Sequence, residues 1–265
     1  MTIHPTAVIS DKAELHPTVK VGPFAVIEEG VKIGAGTTVA SHAVLFGPTS
    51  IGENNTVCSF TTIGGAPQDI SYKGEPTELI IGDGNLIREY ASIHRGTPHG
   101  TGKTVVGSNN MIMAYSHVGH DCVIGDHVIL VNAATLGGHV QVGDRATVGG
   151  LVGVHQFCRI GRFAFIGGGS GVGLDVPPFA MVTGMRGKMR ISGLNKVGMR
   201  RNGFPRETIS KLERAFRILY RSSDLLYKDA IKKVEEEIPG CEYVAELVEF
   251  FRTSKRGVVK RIKSD

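Results

Sequence analysis

No uninterrupted apolar run in this 265-residue sequence approaches the ~18 residues of a membrane-spanning helix, so stable membrane insertion is not expected. The opening MTIHPTAVIS lacks a basic start followed by an apolar stretch, which argues against a secretory signal peptide and for the cytoplasm. The four cysteines (Cys58, Cys122, Cys158, Cys241) form no C-x-x-C pair, which argues against a zinc knuckle or a thioredoxin-like motif and fits a reducing compartment. Basic residues are scarce in the first 185 positions, with 10 Lys/Arg against 14 Asp/Glu. They concentrate in residues 186–265, with 20 against 11, so a mildly acidic body carries a basic tail. Nucleic acid is not the expected partner of that tail, because its aromatics fall at apolar helical positions and form no stacking platform.

What the sequence has in excess is glycine, at 36 residues, and a period of six. Every sixth residue from Ile3 to Ile63 is aliphatic, and a shorter run follows at Ile81, Ile87 and Ile93. The register resumes at Val106 and holds to Val172. Glycine often comes next (Gly22, Gly34, Gly52, Gly107), and a small residue commonly stands four places on (Ala7, Ala13, Ala25, Ala43). A helix would repeat its apolar positions at three and four, and a half-buried strand at two. Period six with glycine at the turns suits a short strand followed by a corner. Three such sides close one coil, and coils stack about 4.8 Å apart. The expected fold is therefore a hexapeptide parallel β-helix, a prism roughly 40 Å long. Residues 64–80 and 94–105 break the register and are polar and rich in Gly and Pro, so they read as loops carrying binding groups on a rigid scaffold. After Pro177-Pro178 the period ends. Ile209, Leu212, Phe216 and Leu219 then recur as on an amphipathic helix. Asp224 is placed to cap a second helix with Leu225, Ile231, Val234 and Ile238 inside, and Tyr243, Leu247, Val248 and Phe251 suggest a third. The expected domains are a β-helix over 1–185 and a helical domain over 186–265.

The register decides how the histidines are read. Val118, Leu136 and Val154 lie on one face in consecutive coils. His120 stands two places after Val118, His139 three after Leu136 and His155 one after Val154, with His117 closing the preceding hexad. Three stacked histidines are compatible with zinc, as in the gamma-class carbonic anhydrases, but their staggered positions suit a metal poorly and none is expected. The other chemistry is a histidine base held by a carboxylate, His120 with Asp121. Successive strand side chains point oppositely, so direct contact between them requires a corner or a partner chain. Cys122 and Cys158 sit four places after Val118 and Val154, two coils apart, and are expected in the core with no disulfide between them.

The segments IHRGT (93–97), SHVGHDC (116–122), GGHV (137–140), VHQFC (154–158) and DVPP (175–178) resemble the UDP-N-acetylglucosamine 3-O-acyltransferases of lipid A synthesis, over essentially the whole chain. The resemblance implies a mainly-β fold, a left-handed parallel β-helix with a C-terminal α-helical domain, assembled as a homotrimer. It implies transfer of an (R)-3-hydroxyacyl group from acyl carrier protein to the glucosamine 3-position of UDP-N-acetylglucosamine. His120 matches the catalytic base, Asp121 its partner, and the backbone N–H of Gly150 the oxyanion donor. Gln68, Asp69, His117, His139, His155 and Gln156 match substrate contacts. Asn195 and Arg201 match positions near the nucleotide, where an arginine can pair with a phosphate. Gly168, stacked on Gly150 by the register, matches the ruler of acyl length, and its small size implies long chains.

The chemistry is consistent with the residues. A thioester is already activated, so a base and an oxyanion donor suffice and no cofactor is expected. The basic tail would steer an acidic carrier protein toward the chain. Three positions depart from the family pattern: Ser71 where many members have lysine, Val197 for a glutamate, and Asn202 for the second of a basic pair. They leave open a 3-amino analogue of the nucleotide sugar as acceptor. Another hexapeptide-repeat acyltransferase using a coenzyme A thioester, a metal-dependent hydratase and a non-catalytic β-helix scaffold also remain open.

Overall fold

Nearly every aliphatic hexad residue closes a strand of two to four residues, and strands one coil apart pair in parallel. The computed structural model describes residues 2–185, 187–221 and 227–260. The strands form three sheets, the faces of a triangular prism, and the fold is mainly β: a left-handed parallel β-helix with helices at its C-terminal end. From Val21 to Val172 every aliphatic hexad residue is buried. Ile3 is 40% exposed, because the first coil has a neighbour on one side only. At roughly 1.5–3 kcal/mol for each such side chain, this stack is the main source of stability. Cys122 and Cys158 lie in it, neither of them in a disulfide.

The register breaks are insertions at a single edge. Ile63 pairs with Ile93, and Ile93 with Val118, so both loops leave after strands of the same sheet and rejoin without shifting a face. That sheet continues through Leu136 and Val154, so the loops and the stacked histidines share one edge of the prism.

At most corners the third residue after the aliphatic one enters the left-handed region, as do Asp121 (φ 58°), His139 (φ 62°) and Phe157 (φ 65°). This costs roughly 1–2 kcal/mol for a residue with a Cβ and breaks the alternation of side-chain directions. A second edge carries five stacked rings, Phe24, His42, Phe60, Tyr90 and Tyr115, with centroids 4.9–5.1 Å apart. On the third edge carboxylates accept backbone N–H groups of the coil below, Asp126 from Ser108 at 2.6 Å and Asp144 from Asp126 at 2.9 Å.

Beyond the last coil, Ala180–Thr183 and Arg190–Leu194 pair antiparallel and extend the first sheet, a hairpin that the period of six does not foreshadow. Among the described residues four helices follow: α1 (Lys196–Arg201), α2 (Arg206–Arg221), α3 (Tyr227–Glu237) and α4 (Glu242–Thr253). Helix α2 buries Ile209, Leu212, Phe216 and Leu219, as its periodicity requires. Helix α1 is too short to leave a periodic trace. Asp224 and Leu225, read above as the start of a helix, lie outside the described residues, as does Arg186. Helix α4 is tied to the prism by an Arg162–Glu246 ion pair of 2.6 Å, and Ser254 donates to Asp175 at 2.8 Å. Among the described residues no helix is long and apolar enough to cross a membrane.

Candidate active site

The left-handed corner after Val118 turns His120 and Asp121 toward each other, and His120 Nδ1 lies 2.8 Å from Asp121 Oδ2. The contact that alternation forbids along a strand is thus made within one chain. An ionised carboxylate only accepts, so the proton is on Nδ1 and the lone pair on Nε2, the tautomer of a general base. The Asp121 side chain is fully buried and that of His120 is 15% exposed, which leaves the imidazole open to a reactant.

Burial pushes the Asp121 carboxyl up, but hydrogen bonds from Thr97, His120 and Thr101 outweigh it and hold the group below the usual carboxylate range. His139 lies edge-on to His120 with centroids 5.1 Å apart, and its Nε2 is 3.8 Å from Asp121 Oδ2. Phe157 stacks flat on the other side of His139 at 4.3 Å. His117 meets Ser92 Oγ at 2.8 Å, and His94 donates from Nδ1 to the Ala66 carbonyl at 2.6 Å. Desolvation lowers the imidazoles of His94 and His139 and takes His117 down to about 4, with neighbouring histidines adding to it, so these three are neutral at pH 7.

The first loop returns Asp69 to within electrostatic reach of His120 and His99. Ser71 donates to Asp69 Oδ1 from its backbone N–H at 2.8 Å and its hydroxyl at 2.7 Å, which lowers that carboxyl. Gln68, beside it, is exposed. His155, one coil beyond His139, lies between the Gln156 carbonyl at 3.1 Å and Arg256 Nη2 at 3.2 Å, and Gln156 is exposed.

Similarity to known proteins follows this geometry from end to end. Residues 175–259 match the family described as UDP N-acetylglucosamine O-acyltransferase, domain 2, and residues 12–47 and 103–138 match the bacterial transferase hexapeptide repeats. The acyl-[acyl-carrier-protein]–UDP-N-acetylglucosamine O-acyltransferase of Syntrophobacter fumaroxidans is 50% identical over 98% of this chain and 100% of its own length. The protein of that name from Thermodesulfovibrio yellowstonii is 53% identical over 97% of this chain and 99% of its own. Among solved structures, the UDP-N-acetylglucosamine acyltransferase of Campylobacter jejuni superposes with a TM-score of 0.92 at 39% identity, covering 98% of this chain and all of that one.

The chain belongs to the acyl-[acyl-carrier-protein]–UDP-N-acetylglucosamine O-acyltransferase family. It is an acyltransferase. Of the residues singled out from sequence, Asp69, His117, His120, Asp121 and His139 come together on one edge, with His155 and Gln156 one coil further along it.

Gly150 and Gly168 do not join them. Both lie on the edge of the aromatic stack, where a Cβ on Gly150 would meet only Asn132 O at 3.4 Å and Val131 Cγ1 at 3.5 Å. They do stack on each other as expected, Gly169 N–H donating to Gly150 O at 2.8 Å. The glycine beside the base is Gly138. A Cβ there would stand 2.6 Å from His120 Nε2, and the Gly138 N–H is donated to no group among the described residues. Its signal was the pair Gly137-Gly138, one coil from His120 in register.

Asn195 caps α1, accepting from Gly198 N–H at 2.9 Å and donating to the Phe163 carbonyl at 2.9 Å, while Arg201 ends that helix exposed. Asn202, a departure from the family pattern, binds Arg145 Nη1 at 2.7 Å.

His120, Asp121 and His139 bring ligand atoms within 4.8 Å of one another, the one such metal-compatible group among the described residues. The donor set fits a metal poorly. His120 Nδ1 is turned to Asp121, and the carboxylate already accepts from Thr97 and Thr101 as well.

Proposed function

We propose that this protein transfers an (R)-3-hydroxyacyl group from acyl carrier protein to the glucosamine 3-position of UDP-N-acetylglucosamine, the first step of lipid A biosynthesis. The observation that carries the reading is the His120–Asp121 bond of 2.8 Å with Nε2 left open at a solvent-facing edge. His120 Nε2 takes the proton of the 3-hydroxyl as the sugar oxygen forms its bond to the thioester carbonyl carbon. The carbonyl oxygen gains charge, and a backbone N–H aimed at it stabilises the transition state more than the ground state. The tetrahedral intermediate then expels the carrier thiolate, which recovers the proton from the imidazolium. The net reaction exchanges a thioester and an alcohol for an ester and a thiol.

In this reading the Gly138 N–H supplies the donor from the chain that carries the base. Gly150, the donor expected from sequence, and Gly168 line the acyl groove from another copy, since a group on one edge of a prism reaches a second edge only where two prisms meet. A homotrimer provides such a junction. Asp69, Gln68, His117, His139, His155 and Gln156 surround the sugar and acyl groups, and Arg201 faces the nucleotide. The two parts divide the work: 1–185 holds the chemistry, and 186–265, with its surplus of basic residues, receives the acidic carrier in the cytoplasm. No cofactor takes part.

The test is to incubate the purified protein with UDP-N-acetylglucosamine and hydroxyacyl carrier protein while assaying bound zinc. Acylated nucleotide without stoichiometric metal is expected. Turnover only with a coenzyme A thioester, or only with zinc, would overturn the reading.

A further inference from the structure

The second loop packs back onto the carboxylate behind the base and saturates it. Thr97 donates its hydroxyl to Asp121 Oδ2 at 2.6 Å and its backbone N–H at 3.1 Å. Thr101 donates its backbone N–H to Oδ1 at 2.9 Å, while its hydroxyl donates to the Lys103 carbonyl at 2.8 Å. With His120 Nδ1 on Oδ2 at 2.8 Å, both oxygens are fully engaged. Thr104, where the loop rejoins the prism, accepts the Asp121 backbone N–H at 2.8 Å, so the residue is held from main chain and side chain alike.

The loop is itself tied, Gly100 and Gly102 donating to the Thr97 carbonyl at 3.2 and 3.1 Å. Between the two threonines stands Gly100, where a Cβ would come within 2.6 Å of Asp121 Oδ2. Only a residue without a side chain lets this loop close on the carboxylate. Thr97 and Thr104 are buried, as is Asp121, although a loop built merely to bind ligand would present such hydroxyls outward.

We propose that Thr97 and Thr101 are positioning residues of the acyl transfer, and that Gly100 is the clearance that admits them. The inference rests on His120 being the base. A lone carboxylate beside an imidazole can rotate, offering either oxygen, and the imidazole turns with it. Donors on both oxygens fix the plane of the carboxylate, and Oδ2 then fixes the ring, its tautomer and the direction of Nε2. The same donors spread the anionic charge and limit how strongly Asp121 holds the proton on the imidazolium. The loop thus sets both the aim and the basicity of a residue that it does not touch.

The experiment uses the full-length protein with Thr97→Val, Thr97→Ser, Gly100→Ala and His120→Ala variants, measured for kcat, KM of the nucleotide sugar, the pH profile of kcat/KM, and thermal unfolding. Thr97→Val keeps shape and loses the hydroxyl donor. Its kcat should fall about 10- to 100-fold, the effect of one lost hydrogen bond to a charged group, with KM nearly unchanged. The acid limb of its profile should move to higher pH, because the less-solvated carboxylate holds the imidazolium more firmly. Thr97→Ser, which restores the donor, should recover most of the loss. Gly100→Ala, at an exposed loop position, should lower kcat comparably without moving the unfolding midpoint, and it decides the matter if Thr97→Val does not fold.

Folded Thr97→Val or Gly100→Ala protein with kcat near that of the parent overturns the inference. So does a rise in KM at unchanged kcat, since the loop would then be holding substrate. If His120→Ala itself keeps its activity, the failure lies in the assignment of the base.

Discussion

Placing a methyl group at Gly138 tests the heart of the site. In Gly138→Ala the new Cβ would stand 2.5 Å from His120 Cε1, 2.6 Å from Nε2 and 3.1 Å from Nδ1. Such approaches do not persist, so one partner must move. The Gly138 backbone is held in the coil ladder, with Phe157 N–H on its carbonyl at 3.0 Å. The ring is the softer partner, but it is pinned by Asp121 at 2.8 Å and flanked by His139 at 5.1 Å. It escapes by breaking the charge-assisted bond to Asp121. That bond is worth about 1.5–3 kcal/mol, or roughly 10- to 150-fold in rate. Displacing a base by about 1 Å costs of order 100-fold more. The prediction is a fall in kcat/KM of at least about 100-fold, read as acyl transfer from carrier protein to the nucleotide sugar. Gly153→Ala is the control, because nothing lies within 4 Å of its added Cβ, so it should remain within about fivefold of the parent. Gly138→Ala protein that is folded and equally close to the parent would refute the placement of the ring, and with it the reason for a glycine there.

Four further outcomes are expected. His120→Ala should abolish turnover while the protein stays folded, its unfolding temperature lowered only by the loss of the ring's bond to Asp121, and parent kcat/KM should fall on the acid side as the base is protonated. His117, lowered to about 4 by burial, is neutral in the fold and protonated more readily in the unfolded chain. Stability should therefore be lost as pH falls from about 6.5 toward 4, and His117→Gln should flatten that slope in pH-dependent thermal melts. Gly168→Met should shift acyl preference to shorter chains in a competition of carrier-bound chain lengths, at about 0.8 kcal/mol for each methylene denied its groove. In a mixture of the 3-hydroxyl and 3-amino nucleotide sugars, loss of the family lysine at Ser71, whose hydroxyl is spent on Asp69, predicts preference for the amine; a clear preference for the hydroxyl sugar rejects this.

The prism was legible in the sequence because its rule is periodic. One inward residue in six, repeated from Val21 to Val172, is buried without exception, and no other regular structure gives that spacing. The C-terminal hairpin and α1 were not legible, since each is too short to repeat anything. The histidine column was legible as a column, and contact between the neighbours His120 and Asp121 was expected only from a corner or a partner chain, because alternation holds along strands; the structure supplies the corner. Their contact depends on the left-handed turn at Asp121, a conformation that a sequence window does not announce for a residue other than glycine. Thr97, Thr101, Gly138 and Phe157 were missed for a related reason. Their roles come from what lies one coil away or across a loop, and a threonine in a polar loop carries no mark of what it faces.

The same geometry explains why this chemistry sits on an edge. In a strand of two residues one side chain turns into the core and the other lies on a flat face, too few to assemble a base, its partner and their supports. An edge stacks one corner per coil at strand spacing, about 4.8 Å, close to the 4.3 and 5.1 Å that separate His139 from Phe157 and His120. Insertions at that edge add groups without disturbing the stack, as both loops do. What an edge lacks is a second wall, because it is convex. Asp121 obtains its wall from the chain's own loop, while the ring of His120 faces outward with none. A long acyl chain laid along a convex edge would stay in water over half its surface and forfeit much of the roughly 25 cal/mol per Å² that burial supplies. The groove such a substrate needs must be completed by another surface. The uncapped, side-chain-free positions of Gly150 and Gly168, on an edge that the base cannot reach, are what a second copy of this chain would bring to it.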